Sequence, residues 1–463
     1  MPETPKVGLL PLYLALYDQS VPEERPRMEQ FRDTIAAALA QRGLEVVPAP
    51  VCRVQSEFTA AVRALEQAGV DALVTLHLAY SPSLESAPVL ADTRLPLIVL
   101  DTTPAFAFGP DQSPDAIMPN HGIHGVQDLC NLLLRYRKPF HIEAGHWEHS
   151  DVLDRVAKWA LAARLAAALR GARVGRIGEP FPGMGDFAVD PETLRATLGV
   201  ETFPCAPERI RGLVAEVSDA DVAAEVAADR ARFAVGAVDA EAHRETVRTC
   251  LGVRRWLEAE RLSAFTVNFL AVDRASGLAT VPFLEASKAM ARGIGYAGEG
   301  DVLTAALVGA LATVYPRTTF TEMFCPDWAG NTIFLSHMGE VNLDLVDGQP
   351  ELLQKPFPWT DAADPVVAVG RLRGGDAVWV DLAPGPDESY TLIVAPVRMV
   401  AVEGEDRFAG SVRGWLRPHQ PLATFLQEYS QAGGTHHAAL VYDGSAAVIA
   451  AFGAMMGWKV CLL

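Results

Sequence analysis

Glu299, Glu322, His337 and the pair His436-His437 are the residues of this sequence whose types could do chemistry together. Glu299 sits between two glycines in "GYAGEGDV", just before a helix whose N-cap would be Asp301. A glutamate in such a turn is either a solvated side chain or a carboxylate presented at the mouth of a doubly wound sheet, where ligands bind. Glu322 in "TTFTEMF" alternates with Phe320 and Phe324, so on a strand all three would share a face. A glutamate on an apolar face needs a salt-bridge partner or a metal. His337 in "TIFLSHMGEV" would share a strand face with Ile333 and Leu335, as a satisfied core histidine or as a ligand. His436 and His437 in "QAGGTHHAALVYDG" follow the flexible Gly433 and Gly434, and neighbours on a strand point to opposite faces. Alone, each signal has a plain structural reading. Together, two carboxylates and two imidazoles, His337 and one of the pair, form a mixed N/O set that suits Mn²⁺ or a similar divalent ion better than the thiolate sites of structural zinc.

Two further stretches look chemical and are weaker. "HIEAGHWEHSD" packs His141, Glu143, His146, Glu148 and His149 together, but it lacks the HExxH order of zinc proteases. "GIGYAGEGD" has the look of a dinucleotide loop, yet it reads as following a helix and has no βαβ frame around it.

Elements of three kinds must position these residues. The first 105 residues alternate strand and helix: "KVGLLPLYLALY", then "RMEQFRDTIAAALAQRG" with Met28, Phe31, Ile35 and Leu39 at helical spacing, closed by Gly43. "LEVVPAP" follows as a strand, "SEFTAAVRALEQAG" as a helix capped by Ser56, and "VDALVTLHL" and "LPLIVLD" as strands. Near-continuous apolar strands alternating with helices mean a doubly wound parallel sheet. A second α/β unit begins near residue 151, with strands at "ARVGRIG", "VETFPC" and "SAFTVNFLAV", two helical stretches between about 206 and 260, the helix "PFLEASKAMARG" and the turn "IGYAGEGD". After residue 317 short strands separated by Gly, Pro and Asp turns read as an antiparallel sheet or small barrel. The expected architecture is therefore α/β: two Rossmann-like doubly wound domains, residues 1–150 and 151–316, plus an antiparallel β-barrel-like domain, residues 317–463.

Composition narrows the partners. The chain has 463 residues, half of them hydrophobic, and a formal net charge of −18. Phosphate binding needs a basic footprint, so no nucleic-acid partner is expected. No stretch approaches the roughly 20 apolar residues of a membrane span, so no membrane partner is expected, and the apolar start reads as a first strand and not a signal peptide. The six cysteines, Cys52, Cys130, Cys205, Cys250, Cys325 and Cys461, form no CxxC pair, which fits reduced thiols in a cytoplasm.

The order "GYAGEGD…TAAL", "TTFTEMF", "FLSHMGEV", "GGTHHAAL" resembles the L-arabinose isomerase branch of the L-arabinose/L-fucose isomerase superfamily, in its intervals as well as its motifs. Upstream, "LHLAYSP", "NHGIHG", "AGHW", "RIGEPFPGM" and "AFTVNF" look like family blocks in the right order, so the resemblance covers nearly the whole chain apart from the first strand. It implies the same three-part fold. It places the family's manganese ligands on Glu299, Glu322, His337 and His437, with Co²⁺ or Mg²⁺ as alternatives, and makes the two glutamates the acid and base of isomerisation. Substrate contacts would fall on His121, His124, Met184, Phe269 and His436, and the assignments of His436 and His437 can be exchanged. The family's counterpart of "NHGIHG" reaches the active site of a neighbouring subunit, which implies a homo-oligomer, a hexamer or tetramer, with shared sites.

The implied activity is aldose–ketose isomerisation of a free monosaccharide through a cis-enediol. A divalent ion polarises the carbonyl while one carboxylate takes the carbon-bound proton and a second moves the hydroxyl proton. The chain departs from the family's pattern at Val302-Leu303 (usually Trp-Lys), Met323 (usually acidic), Leu270-Ala271 (usually Glu-Asp), His121 (usually Gln) and "YLALYDQ" near the N-terminus. Ligands kept among altered surroundings imply preserved metal chemistry on a different or broader sugar. Two competing expectations are a catalytically inactive sugar-binding or regulatory homologue and a metal-dependent sugar epimerase.

Overall fold

Strand–helix alternation builds the N-terminal part of the protein as the periodicity predicts. The structure, a computed structural model, describes residues 3–463; residues 1 and 2, which open the expected N-terminal domain, lie outside the described residues. The chain divides into two compact units, residues 3–167 and residues 168–463.

In the first unit, β1 (Lys6–Leu12), β2 (Glu45–Pro48), β3 (Ala72–His77), β4 (Leu97–Asp101) and β5 (His141–Ala144) form one sheet in the order β2-β1-β3-β4-β5. Every pairing is parallel. The central strands are covered on both faces, which is why they read as unbroken apolar runs. Met28, Phe31, Ile35 and Leu39 are buried on the helix Arg25–Ala40, as their spacing predicts. Ser56 is not a cap: the next helix runs Gln55–Gln67, and its N-cap is Val54 with no side-chain hydrogen bond.

In the second unit, β6 (Arg173–Ile177), β7 (Glu201–Pro204), β9 (Ala264–Val267) and β10 (Gly295–Gly298) form a parallel sheet in the order β10-β9-β6-β7, while β8 (Ala234–Val235) joins a different sheet. Strand β10 was expected as turn. "GYAG" carries little strand propensity, but its glycines answer a packing need: a Cβ on Gly295 would stand 2.3 Å from the Ala305 carbonyl oxygen and 2.4 Å from the Gly309 nitrogen. The helix Val302–Val314 therefore crosses directly on this strand. Between residues 206 and 260 there are three helices and not two, Pro207–Ala215, Asp219–Arg232 and Ala240–Ala259. A capping box between Ser218 and Asp221 restarts the chain where two helices would otherwise fuse.

The remaining strands are β11 (Thr318–Asp327), β12 (Thr332–Ser336), β13 (Glu351–Gln354), β14 (Val366–Arg371), β15 (Gly375–Pro384), β16 (Tyr390–Met399), β17 (Val412–Pro418), β18 (His437–Tyr442) and β19 (Lys459–Leu462). The order β16-β15-β18-β11-β12-β17 closes on itself through a β16–β17 pairing, giving a six-stranded antiparallel barrel. Closure removes two edges that would otherwise need protection. Its wall encloses Leu335, Trp379, Ile393, Leu416 and Leu440, all at most 0 % exposed. Strand β19 adds in parallel to β16, and β14, β13 and β8 extend the sheet from β17. Among the described residues no helix is long and apolar enough to cross a membrane. All six cysteines are free.

Candidate active site

Glu299 occupies the turn between β10 and the helix Val302–Val314. Its φ is +62°, a left-handed conformation that costs a non-glycine residue about 1 kcal/mol. The backbone is held there from both sides. Glu299 N–H donates to the Val267 carbonyl at 2.8 Å, and Phe181 N–H donates to the Glu299 carbonyl at 2.9 Å. The flanking glycines follow from geometry. A Cβ on Gly298 would stand 3.0 Å from His337 Cε1, and one on Gly300 would stand 2.7 Å from Pro180 Cα, at φ +85°. "GEG" is thus a carboxylate in a strained turn with an imidazole packed against its strand.

Glu322, His337 and His437 are brought together by the barrel's register. Strand β11 lies between β18 and β12, and Glu322 stands opposite both His437 and Ser336. His337 follows Ser336, one residue beyond the end of β12. Phe320 and Glu322 share a face, and the Phe320 ring meets those of His337 and His437 edge-on at 4.9 and 5.0 Å. Phe324 does not join them. The register shifts between Met323 and Cys325, so the alternation breaks and Phe324 is left 48 % exposed.

Five groups face one centre. His437 Nε2 lies 3.0 Å from Glu322 Oε1 and 3.5 Å from Glu299 Oε2. His337 Nε2 lies 3.1 Å from Glu322 Oε1, and His436 Nε2 lies 3.6 Å from Glu299 Oε2. One ligand atom each from Glu299, Glu322, His436 and His437 falls within 4.8 Å of the others. Each imidazole turns Nδ1 outward onto a carboxylate: His337 to Glu340 at 2.7 Å, His437 to Asp301 at 2.9 Å and His436 to Asp186 at 2.7 Å. A carboxylate facing Nδ1 keeps the proton there and leaves Nε2 for the centre, the arrangement that metal-ligating histidines use.

The charges are balanced within the cluster. Burial alone would raise the Glu299 carboxyl, but the imidazoles of His436 and His437 outweigh it and hold it at about 2. Burial likewise opposes ionisation of Glu322, and His337 and His437 hold it well below the carboxylate range. For His337, burial works against the charged ring, yet Glu340 and Glu322 raise it to about 10. Protons on the imidazoles thus neutralise the carboxylates, a task a divalent cation performs equally well by displacing them. The donor set fits such a cation on two more counts. Glu299 Oε2 and His437 Nε2 are buried and make no well-formed hydrogen bond, although each has groups of opposite charge within 3.6 Å. The donors are oxygen and nitrogen without thiolate, which suits Mn²⁺, Co²⁺ or Mg²⁺.

Residues 193–315 match the L-arabinose isomerase central domain, and residues 317–459 match the L-arabinose isomerase C-terminal domain. The chain is an L-arabinose isomerase-like protein. Among its relatives, the L-arabinose isomerase of Herpetosiphon aurantiacus is 29% identical over 352 residues, covering 73% of this chain and 70% of that protein. That of Levilactobacillus brevis is 28% identical, covering 73% of each. L-arabinose isomerase 1 of Bacillus licheniformis is 27% identical over 422 residues, covering 89% of this chain and 83% of its own length.

Around the cluster of this isomerase-like chain, Met184 lies on the loop that follows β6 and Phe269 opens the 3₁₀ turn Phe269–Ala271. Met184 N–H donates to the Phe181 carbonyl at 3.2 Å, and the Phe181 and Phe269 rings are 5.6 Å apart. Phe269 also meets Trp359 at 5.8 Å. Beside it the apolar Leu270 is 38 % exposed. His121 and His124 belong to the N-terminal unit, at the start of the helix Gly122–Arg135, with rings 4.5 Å apart and both near Tyr80.

The stretch His141–His149 is not built as a metal site. His141 and Glu143 lie on β5, and His146 Nδ1 accepts from the backbone N–H groups of Glu148 and His149 while Nε2 faces the Pro104 carbonyl. Glu143 is taken up by Arg155 and Trp159.

Sequence reasoning missed Asp186, Phe187 and Glu340, and it saw Asp301 only as a cap. Glu340 had a local signal, a carboxylate three residues after His337. Asp186 and Phe187 had none, because they reach the histidines from 250 residues away.

Proposed function

We propose that the chain is a divalent-metal-dependent isomerase that interconverts a free aldose and its ketose through a cis-enediol. The reaction class, an intramolecular oxidoreduction of a sugar, follows from the family. Metal dependence is supported by one observation: Glu299 Oε2, Glu322 Oε1 and His437 Nε2 converge, with two of the three buried and without a well-formed hydrogen bond. Glu299, Glu322, His337 and His437 would hold the ion, Mn²⁺ by preference, which supplies Lewis acidity to the sugar's carbonyl and hydroxyl oxygens.

The chain's own groups handle the protons. One of the two glutamates removes the proton from C2 of the aldose and returns it at C1; the other carries the hydroxyl proton from O2 to O1. Both carboxyls are held below the usual range, so both are ionised at neutral pH and ready to accept. His436, Met184 and Phe269 line the sugar's place. The apolar Leu270 and the aromatic wall of Phe181, Phe269 and Trp359 support a sugar other than, or in addition to, L-arabinose.

His121 and His124 would serve the site of a neighbouring subunit in a homo-oligomer, a hexamer or tetramer. Exposed Phe106, Ile117 and Ile123 on the same unit support such a contact. Free thiols suit a cytoplasmic location.

The test is a screen of pentoses, hexoses and deoxysugars with metal-stripped protein, with and without added Mn²⁺, reading ketose. Glu299→Gln and Glu322→Gln should each abolish turnover of the sugar found. Undiminished turnover in either variant refutes the mechanism. No stoichiometric metal and no rescue by added ion would favour the inactive sugar-binding reading, and solvent deuterium in an epimeric product would favour an epimerase.

A further inference from the structure

Asp186 and Phe187 sit on the loop that follows β6, far in sequence from the histidine pair they touch. Asp186 Oδ2 accepts from the His436 backbone N–H at 2.9 Å and faces His436 Nδ1 at 2.7 Å. Phe187 lies flat on His437, with centroids 4.8 Å apart and planes 14° apart. Two adjacent residues thus grip two adjacent imidazoles, one by charge and one by stacking. The two imidazoles differ in setting: the His437 side chain is 0 % exposed, whereas that of His436 is 37 % exposed at the mouth of the cluster.

We propose that Asp186 is a positioning residue that pins the His436 ring and keeps its proton on Nδ1, so that Nε2 meets a sugar hydroxyl beside Glu299. This rests on the isomerase reading above and deepens it. The argument is geometric. An acceptor that holds both the backbone N–H and Nδ1 of one residue fixes χ1 and the ring flip together. Moving the proton to Nε2 would set the Nδ1 lone pair against Asp186 Oδ2 at 2.7 Å, a closer contact than the 3.6 Å between Nε2 and Glu299 Oε2. Nε2, 3.6 Å from Glu299 Oε2, is then the His436 nitrogen that faces the site. The exposed ring is the one a substrate reaches first, while the buried His437 and His337 would hold the metal.

The test uses the full chain labelled with ¹⁵N-histidine, the His436 signals being assigned by their loss in His436→Ala. At a pH where the His436 ring is neutral, the wild type should show the proton on Nδ1. Asp186→Leu should shift it to Nε2, the form free imidazoles prefer, and Asp186→Glu should restore much of the native pattern. A wild-type ring protonated on Nε2, or a Leu variant with an unchanged ring, overturns the proposal without reference to activity. With the sugar found by the screen, Asp186→Leu should raise KM about tenfold, the worth of one charge-assisted hydrogen bond, with a smaller change in kcat. It should add nothing to His436→Ala, since the two act as a unit. Co²⁺ titration of the metal-stripped variant should match wild type. A weakened Co²⁺ affinity would make His436 a metal ligand and overturn the substrate role. If the wild type turns over no sugar, the isomerase reading fails while the ring's tautomer still decides the role of Asp186.

Discussion

Asp301 holds two structures at once, and replacing it should separate them. Its Oδ1 accepts from Thr304 N–H at 2.8 Å, capping the helix Val302–Val314, and its Oδ2 faces His437 Nδ1 at 2.9 Å. Both Asp301 and His437 are 0 % exposed, so no water can replace a lost partner cheaply. Asp301→Asn keeps the shape but offers one oxygen and one NH₂ group. If the oxygen stays on Thr304, the NH₂ faces Nδ1, the His437 proton moves to Nε2, and that nitrogen no longer has a lone pair for a metal. Loss of such an outer partner weakens metal binding by about 10- to 100-fold, or roughly 1.4–2.7 kcal/mol. If the oxygen turns to His437, the cap is lost, at about 1 kcal/mol of stability. Asp301→Ala loses both and leaves the buried Nδ1–H unsatisfied, adding about 1–3 kcal/mol to the cost of the cap. The assay is Co²⁺ titration of metal-stripped protein by calorimetry, paired with urea unfolding of the same metal-free samples. An Asn variant that binds Co²⁺ within twofold of wild type and unfolds at the same urea midpoint would refute the view that Asp301 sets the His437 ring.

Other outcomes are equally definite. Glu225, whose side chain is 18 % exposed, is ion-paired to Arg254 and Lys288. Burial would raise its carboxyl, but those two cations outweigh it and hold it at about 2, below the ordinary glutamate value of 4.5. A depressed folded pKa contributes stability above the unfolded value that is lost as pH falls through the folded one. Glu225→Gln should therefore cost up to about 3 kcal/mol at neutral pH, with the gap from wild type narrowing below about pH 4.5; urea midpoints that differ equally at about pH 7 and about pH 3.5 would contradict this. For the shared site, mixing His124→Ala subunits with Glu322→Gln subunits after dissociation should regain part of the activity that each lacks alone. No recovery in mixed oligomers verified by light scattering would count against the neighbour-subunit role of His124.

How far the site could be read from the chain depended on the range of the cause. Glu322 was visible because a carboxylate alternating with Phe320 is a local pattern, and Asp301 because caps obey local rules. Strand β10 was invisible because its glycines serve the approach of the helix Val302–Val314, which no window of residues 295–298 records. Phe324 was misplaced because alternation was carried through a bulge that only the β11–β12 pairing creates. The histidines could be named, but nothing local said that each would meet a carboxylate at Nδ1, two of which lie far from their ring in the chain.

By itself, then, the chain determined most of its elements, the order of its layers and the residue types able to bind a cation, since these depend on periodicity, caps and side-chain chemistry close along the backbone. The tertiary structure alone decided that the barrel closes through β16 and β17, that register sets Glu322 opposite His437, and that Asp186 reaches His436 across 250 residues. Those depend on which surfaces bury each other, and a one-residue slip in β11 would turn Glu322 to the opposite face and dismantle the centre.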